Sequence, residues 1–153
     1  MLKYYNFDIV FAEIPGEVTL ALNITGCPNN CAGCHSPHLR EDTGQVLDDD
    51  ELLSLIERYG RAVTCVCFMG GDNDPQEVAR LAGTVRSHST LRTGWYSGRD
   101  ELPGYDILSS LDYIKTGPYR KEAGPLGTPA TNQRMYRITD GTLDDITRMF
   151  LKK

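Results

Sequence analysis

Residues 18–37 read VTLALNITGCPNNCAGCHSP. Val18, Leu20, Leu22 and Ile24 alternate with Thr19, Ala21 and Asn23, the period of a strand with one apolar face. This strand runs directly into Cys27, Cys31 and Cys34, spaced C-x3-C-x2-C, with His35 after the last. The cysteine loop therefore belongs at the C-terminal end of a strand.

Downstream, the same reading yields alternating elements. Asp48 and Glu51 form a capping pair ahead of a helical stripe, Leu52, Leu55, Ile56 and Tyr59, which stops at Gly60. Residues 62–69, AVTCVCFM, are nearly continuously apolar, as in a strand covered on both faces, and Gly70-Gly71 ends them. Asp74 and Pro75 start a second helix, with Val78, Leu81, Ala82 and Val85 on one face, running to about His88. Strands are predicted at 91–97 and 111–116, with one or two helical turns around 105–110 between them. Strand–helix alternation argues for an α/β fold with a parallel sheet, whose ligands gather at the C-terminal strand ends. At 153 residues the chain is expected to form one domain over 1–153, and a barrel begun here cannot close, because eight units need about 250 residues. The expectation is a partial, open (β/α) barrel. Residues 117–132, GPYRKEAGPLGTPATN, are too rich in glycine and proline to be regular. A last strand is predicted at 133–139, ending in an Asp140-Gly141 turn, and Leu143, Ile146, Met149 and Phe150 then fit a short helix.

Composition narrows the function classes. A formal net charge of −5 offers no basic stripe for phosphates, so nucleic acid is not an expected partner. The longest apolar stretch lies within 62–69, far short of the roughly 20 residues that cross a bilayer. The N-terminal MLKYYNFDIVFAE mixes charge into its apolar residues and lacks the pattern of a secretory signal, so a cytoplasmic location is expected. Four of the five cysteines occur as close pairs, Cys31 with Cys34 and Cys65 with Cys67, which suits metal or redox chemistry in a reducing compartment better than a disulfide framework.

Three thiolates on one short loop repel one another unless a cation or cluster compensates them. Structural zinc, with His35, Cys65 or Cys67 as fourth ligand, is one reading. A thioredoxin-like pair at Cys31 and Cys34 is another, but it gives Cys27 no task. An electron carrier normally supplies four cysteines per cluster, whereas three leave one iron open to a ligand. Cys65 and Cys67 share one face of their strand and read as plain buried thiols.

On these residues the chain resembles the radical S-adenosylmethionine enzymes, whose signature is C-x3-C-x2-C. The resemblance implies a [4Fe-4S] cluster on Cys27, Cys31 and Cys34, with S-adenosyl-L-methionine bound to the open iron. It implies cofactor contacts from Gly33 of the motif and from His35 near the adenine, the latter equally readable as a loop histidine capping a backbone group. Gly70, Gly71 and Asp72 stand where the family has a glycine-rich strand end, usually Gly-Gly-Glu-Pro. Ser97 and Lys115 are further candidate contacts, because Thr116-Gly117-Pro118 stands where the family often has Asp-Gly-Pro. Within the superfamily, Cys27–Pro37, YIKTGPY (113–119) and TNQR (131–134) resemble the activating proteins of anaerobic ribonucleoside-triphosphate reductase. That likeness implies an activase that makes a 5′-deoxyadenosyl radical and installs a glycyl radical on the reductase, supplied with electrons by a donor such as flavodoxin or ferredoxin. The competing readings are a small radical enzyme acting on a free metabolite and a zinc-stabilised interaction module.

Overall fold

The computed structural model describes residues 2–25 and 44–151. Within them lie strands β1 (Leu2–Val10), β2 (Thr19–Ile24), β3 (Gln45–Leu47), β4 (Cys65–Met69), β5 (Arg92–Tyr96), β6 (Tyr113–Thr116), β7 (Arg134–Thr139) and β8 (Thr142–Asp145). The helices are α1 (Asp49–Tyr59), α2 (Pro75–His88) and the single turn α3 (Tyr105–Leu108), with a 3-10 turn at Thr147–Phe150. The α/β class expected from the sequence is the class observed.

All eight strands join one open sheet in the order β3-β1-β2-β4-β5-β6-β7-β8. The four central strands, β2, β4, β5 and β6, are parallel to one another. The expectation of a wholly parallel sheet is corrected at the flanks, where β1 and β3 on one side and β7 and β8 on the other pair antiparallel. For β7 and β8 the physical reason is connection length: they are joined by a two-residue turn, which permits only an antiparallel return.

That turn also overturns the predicted C-terminal helix. Asp140 and Gly141 both take positive φ, 49° and 80°, as in the hairpin turns whose twist matches the flanking strands. Thr142–Asp145 is thereby returned along β7 as an edge strand, and Leu143 becomes the cross-strand neighbour of Ile138. Only Thr147–Phe150 remains helical, and Ile146 N–H donates to Met135 O at 2.8 Å.

Helix starts follow the capping residues. Asp48 accepts from Glu51 N–H at 2.9 Å, and Asp74 accepts from Glu77 N–H at 3.3 Å with Pro75 at the first helical position. The helices bury their stripes on one face of the sheet. Leu52, Leu55, Val78, Leu81 and Val85 meet Leu20, Leu22, Val66, Phe68 and Ile114 there. Because side chains alternate along a strand, Cys65, Cys67 and Tyr113 point to the other face, where they pack with Ile14, Met135 and Ile146. Residues 117–132 contain no helix or strand but are tied down. Asn132 Nδ2 donates to Pro118 O at 3.0 Å, Thr131 Oγ1 to Gly124 O at 3.0 Å, and Leu126 N–H to Gln133 Oε1 at 3.1 Å.

Candidate functional site

Since β2, β4, β5 and β6 run parallel, their C-terminal ends at Ile24, Met69, Tyr96 and Thr116 share one edge of the sheet. Cys27, Cys31, Cys34, Gly33 and His35 lie outside the described residues. The chain approaches and leaves that segment at defined points, however. Thr25 N–H donates to Lys3 O at 2.9 Å, and Gly44 packs so closely on the Tyr4 carbonyl that a Cβ would collide with it. Both ends of 26–43 are thus held against consecutive residues of β1. Among the described residues, no three His, Cys, Asp or Glu side chains are grouped to hold a metal ion.

Gly70 and Gly71 turn the chain out of β4 with φ of 107° and 101°, a region L side chains rarely adopt. Gly70 N–H donates to Tyr96 O at 3.0 Å, and Gly70 O accepts from Trp95 Nε1 at 2.7 Å. A Cβ on Gly70 would stand 3.2 Å from Ile24 O, and one on Gly71 would stand 2.7 Å from Val78 Cγ2. The pair therefore satisfies an internal packing demand at the strand end beside β2.

Asp72, Ser97 and Lys115 are brought together along the same edge, each nearly inaccessible to solvent. Asp72 Oδ1 accepts from Ser97 Oγ at 2.6 Å and its Oδ2 from Gly98 N–H at 2.8 Å. Ser97 O in turn accepts from Lys115 Nζ at 2.9 Å, and the same ammonium donates to Gly117 O at 2.9 Å. Lys115 Nζ also lies 5.5 Å from the centre of the Tyr96 ring, a cation–π distance. An isolated buried charge costs several kcal/mol, so such groups persist where their hydrogen-bonding capacity is met. What the three side chains do first is to brace the ends of β4, β5 and β6 against one another. Arg99 joins them, with Nη2 3.0 Å from Asp72 O and Nε 4.0 Å from Asp72 Oδ1. Sequence reasoning did not single out Arg99 or Trp95, because their roles depend on the β4–β5 register and no local pattern marks them.

Beside this brace, on the face without helices, opens a cleft of about 590 Å³. Glu13, Tyr96, Lys115, Leu126, Thr128 and Phe150 are among its walls. Tyr96 fixes one wall by donating its hydroxyl to Glu13 O. Burial pushes the Tyr96 phenol well up, with smaller contributions from Cys67 and Glu13, so it stays a neutral donor. Cys65 and Cys67 are free and fully buried, as read from the strand period. Burial raises both thiols far above their ordinary range, and Cys67 Sγ lies 3.6 Å from Met69 Sδ. Neither is a nucleophile in this setting, since the thiolate is the reactive form.

No family model matches this chain, and no curated protein or solved structure matches it either.

Proposed function

We propose that this chain is a radical S-adenosylmethionine enzyme that activates an anaerobic ribonucleoside-triphosphate reductase by installing a glycyl radical on it. The observation that carries the reading is the C-x3-C-x2-C spacing of Cys27, Cys31 and Cys34, which follows β2 where that strand's end abuts Gly70. Gly70 and Gly71 turn the chain at the end of β4, the place where this reading expects a glycine-rich strand end, and the donor set of three cysteines fits a four-iron cluster with one open position. When bound, cluster and cofactor together supply one-electron cleavage of a sulfonium, whose product radical takes a hydrogen atom from the partner's glycine. On this reading Cys27, Cys31 and Cys34 hold the cluster, Gly33 and His35 border it, and Gly70 and Gly71 receive the cofactor's amino-acid end.

Asp72, Ser97 and Lys115 would then act through position, keeping three strand ends at fixed separations. The open sheet leaves one side of the cleft to be closed by the reductase, and the tied-down segment 117–132 supplies part of that docking surface.

The test is anaerobic reconstitution with iron and sulfide, followed by dithionite and S-adenosylmethionine. About four irons per chain, release of 5′-deoxyadenosine, and a glycyl-radical signal once the reductase is added are the expected results. Loss of the cleavage in Cys27→Ala, Cys31→Ala and Cys34→Ala should accompany them. Colourless protein that retains zinc and cleaves nothing would overturn the reading in favour of a structural metal. Cleavage that depends on a small metabolite would instead assign the chain to the metabolite-directed enzymes.

A further inference from the structure

At the opposite edge of the sheet, where β5 and β6 begin, the surface opens into a second cavity of about 330 Å³. That volume lies at the lower end of pockets that take small molecules. Its walls include Gly16, Glu17, Arg92, Asp112, Tyr113 and Arg137. One wall is a tight turn in which Glu17 N–H donates to Ile14 O at 3.2 Å. Nothing lies within 4 Å of where a Cβ on Gly16 would stand, so the turn presents open backbone.

Glu17, Asp112, Arg92 and Arg137 line this cavity, and a third arginine, Arg86, reaches Asp112 from outside it. Buried Glu17 accepts from Thr64 Oγ1 at 2.7 Å and Arg92 Nη1 at 3.4 Å through Oε1, and from the Tyr113 hydroxyl at 2.8 Å through Oε2. Asp112 accepts from Arg86 Nη2 at 3.2 Å and from Thr93 N–H at 2.9 Å. Each carboxylate is thus matched by an arginine of its own. Arg137 has no carboxylate of its own among the described residues, and it touches Tyr113, whose phenol burial and Glu17 raise and the arginine's hydrogen bond and charge pull down. Its guanidinium lies over the Tyr113 ring at 5.9 Å, and it forms no ion pair among the described residues, although Asp144 is its partner across the β7–β8 ladder. Arg92, whose side chain is 58% exposed, uses one nitrogen on Glu17 and has further donors on its planar fork.

We infer that this cavity is a binding site for a small molecule carrying one oxyanion, a carboxylate or a phosphate, taken by Arg137 and Arg92. A guanidinium fork matches the paired oxygens of either group. Glu17 and Asp112 repel a second negative charge, which restricts the ligand to a single anionic group. The site stands at the other end of the parallel strands from Gly70-Gly71 and needs no cluster or cofactor to bind its ligand.

The test uses the full chain, isotopically labelled and followed by amide NMR, titrated separately with inorganic phosphate and with acetate at constant ionic strength. Saturable shifts at residues around Arg92, Tyr113 and Arg137 are expected with at least one anion, and the anion that saturates identifies the group. R137Q should weaken that affinity by about tenfold, with its amide spectrum otherwise preserved, while R80Q on α2, where Arg80 pairs with Asp49 and Glu77, should leave it unchanged. Shifts that stay linear with both anions, that spread evenly over surface arginines, or that are as tight in R137Q would overturn the assignment.

Discussion

Cys65 and Cys67 occupy two successive positions on one face of β4, packed with Ile14, Tyr113 and Met135. Burial holds both thiols protonated well above the ordinary value of 9.0, while in the unfolded chain they ionise near it. Their contribution to stability is therefore complete below about pH 9 and is lost as pH rises past it, because only the unfolded state gains by ionising. The limiting slope is about 1.4 kcal/mol per pH unit for each thiol. Tyr113, pushed up to about 12 by burial and by Glu17, adds a further loss above its ordinary 10.0. Urea midpoints at pH 8 and pH 10 should show the fall, and C65A/C67A should flatten it between those values. An unchanged slope in the double variant would mean that other groups set it. At this scale the sequence was readable where a strand period fixes a side chain's face, as at Cys65 and Cys67. It was mute on Arg99, Arg137 and Glu17, whose partners lie many residues away and are chosen by strand register.

Elements were legible where a local rule specifies them. Asp48 before a 3.6-residue stripe marks the start of α1, and its side chain does cap Glu51 N–H. Asp48→Ala should cost about 1 kcal/mol, read as a shift in urea midpoint, while Asp48→Asn should cost only a few tenths. Equal losses in both variants would assign the effect to charge near the helix start rather than to capping. Where two local rules compete, the reading failed. Leu143, Ile146, Met149 and Phe150 keep a helical spacing, yet the Asp140-Gly141 turn acts first and commits 142–145 to β8. β1 and β3 carried no local signal of comparable strength. Lys3 and Asp8 break the apolar run of β1, whose pairing with β2 includes a register shift between Tyr4 and Asn6, and β3 has only three residues.

For the whole molecule, strand–helix alternation anticipated the parallel centre and the edge at which Gly70, Gly71, Asp72, Ser97 and Lys115 meet. It did not anticipate the antiparallel flanks, since pairing between β1 and β2, or between β6 and β7, is a contact between segments rather than a property of either one. Those flanks determine what the cysteine segment asks of the fold. Its two ends rest on Lys3 and Tyr4, neighbours in a strand already laddered on both sides by β2 and β3. The entropy of closing that loop is met by sheet pairing, so no metal is required to draw residues 25 and 44 together. The chain lacking iron, and the variant with Cys27, Cys31 and Cys34 all changed to Ala, should melt within about 4 °C of the reconstituted protein and keep its near-ultraviolet circular dichroism. A melt that disappears without metal would instead place the chain with small domains that fold only around their ion. On the expected outcome, whatever the three cysteines hold is a guest in a frame that stands without it, free to be lost and reloaded without refolding the protein.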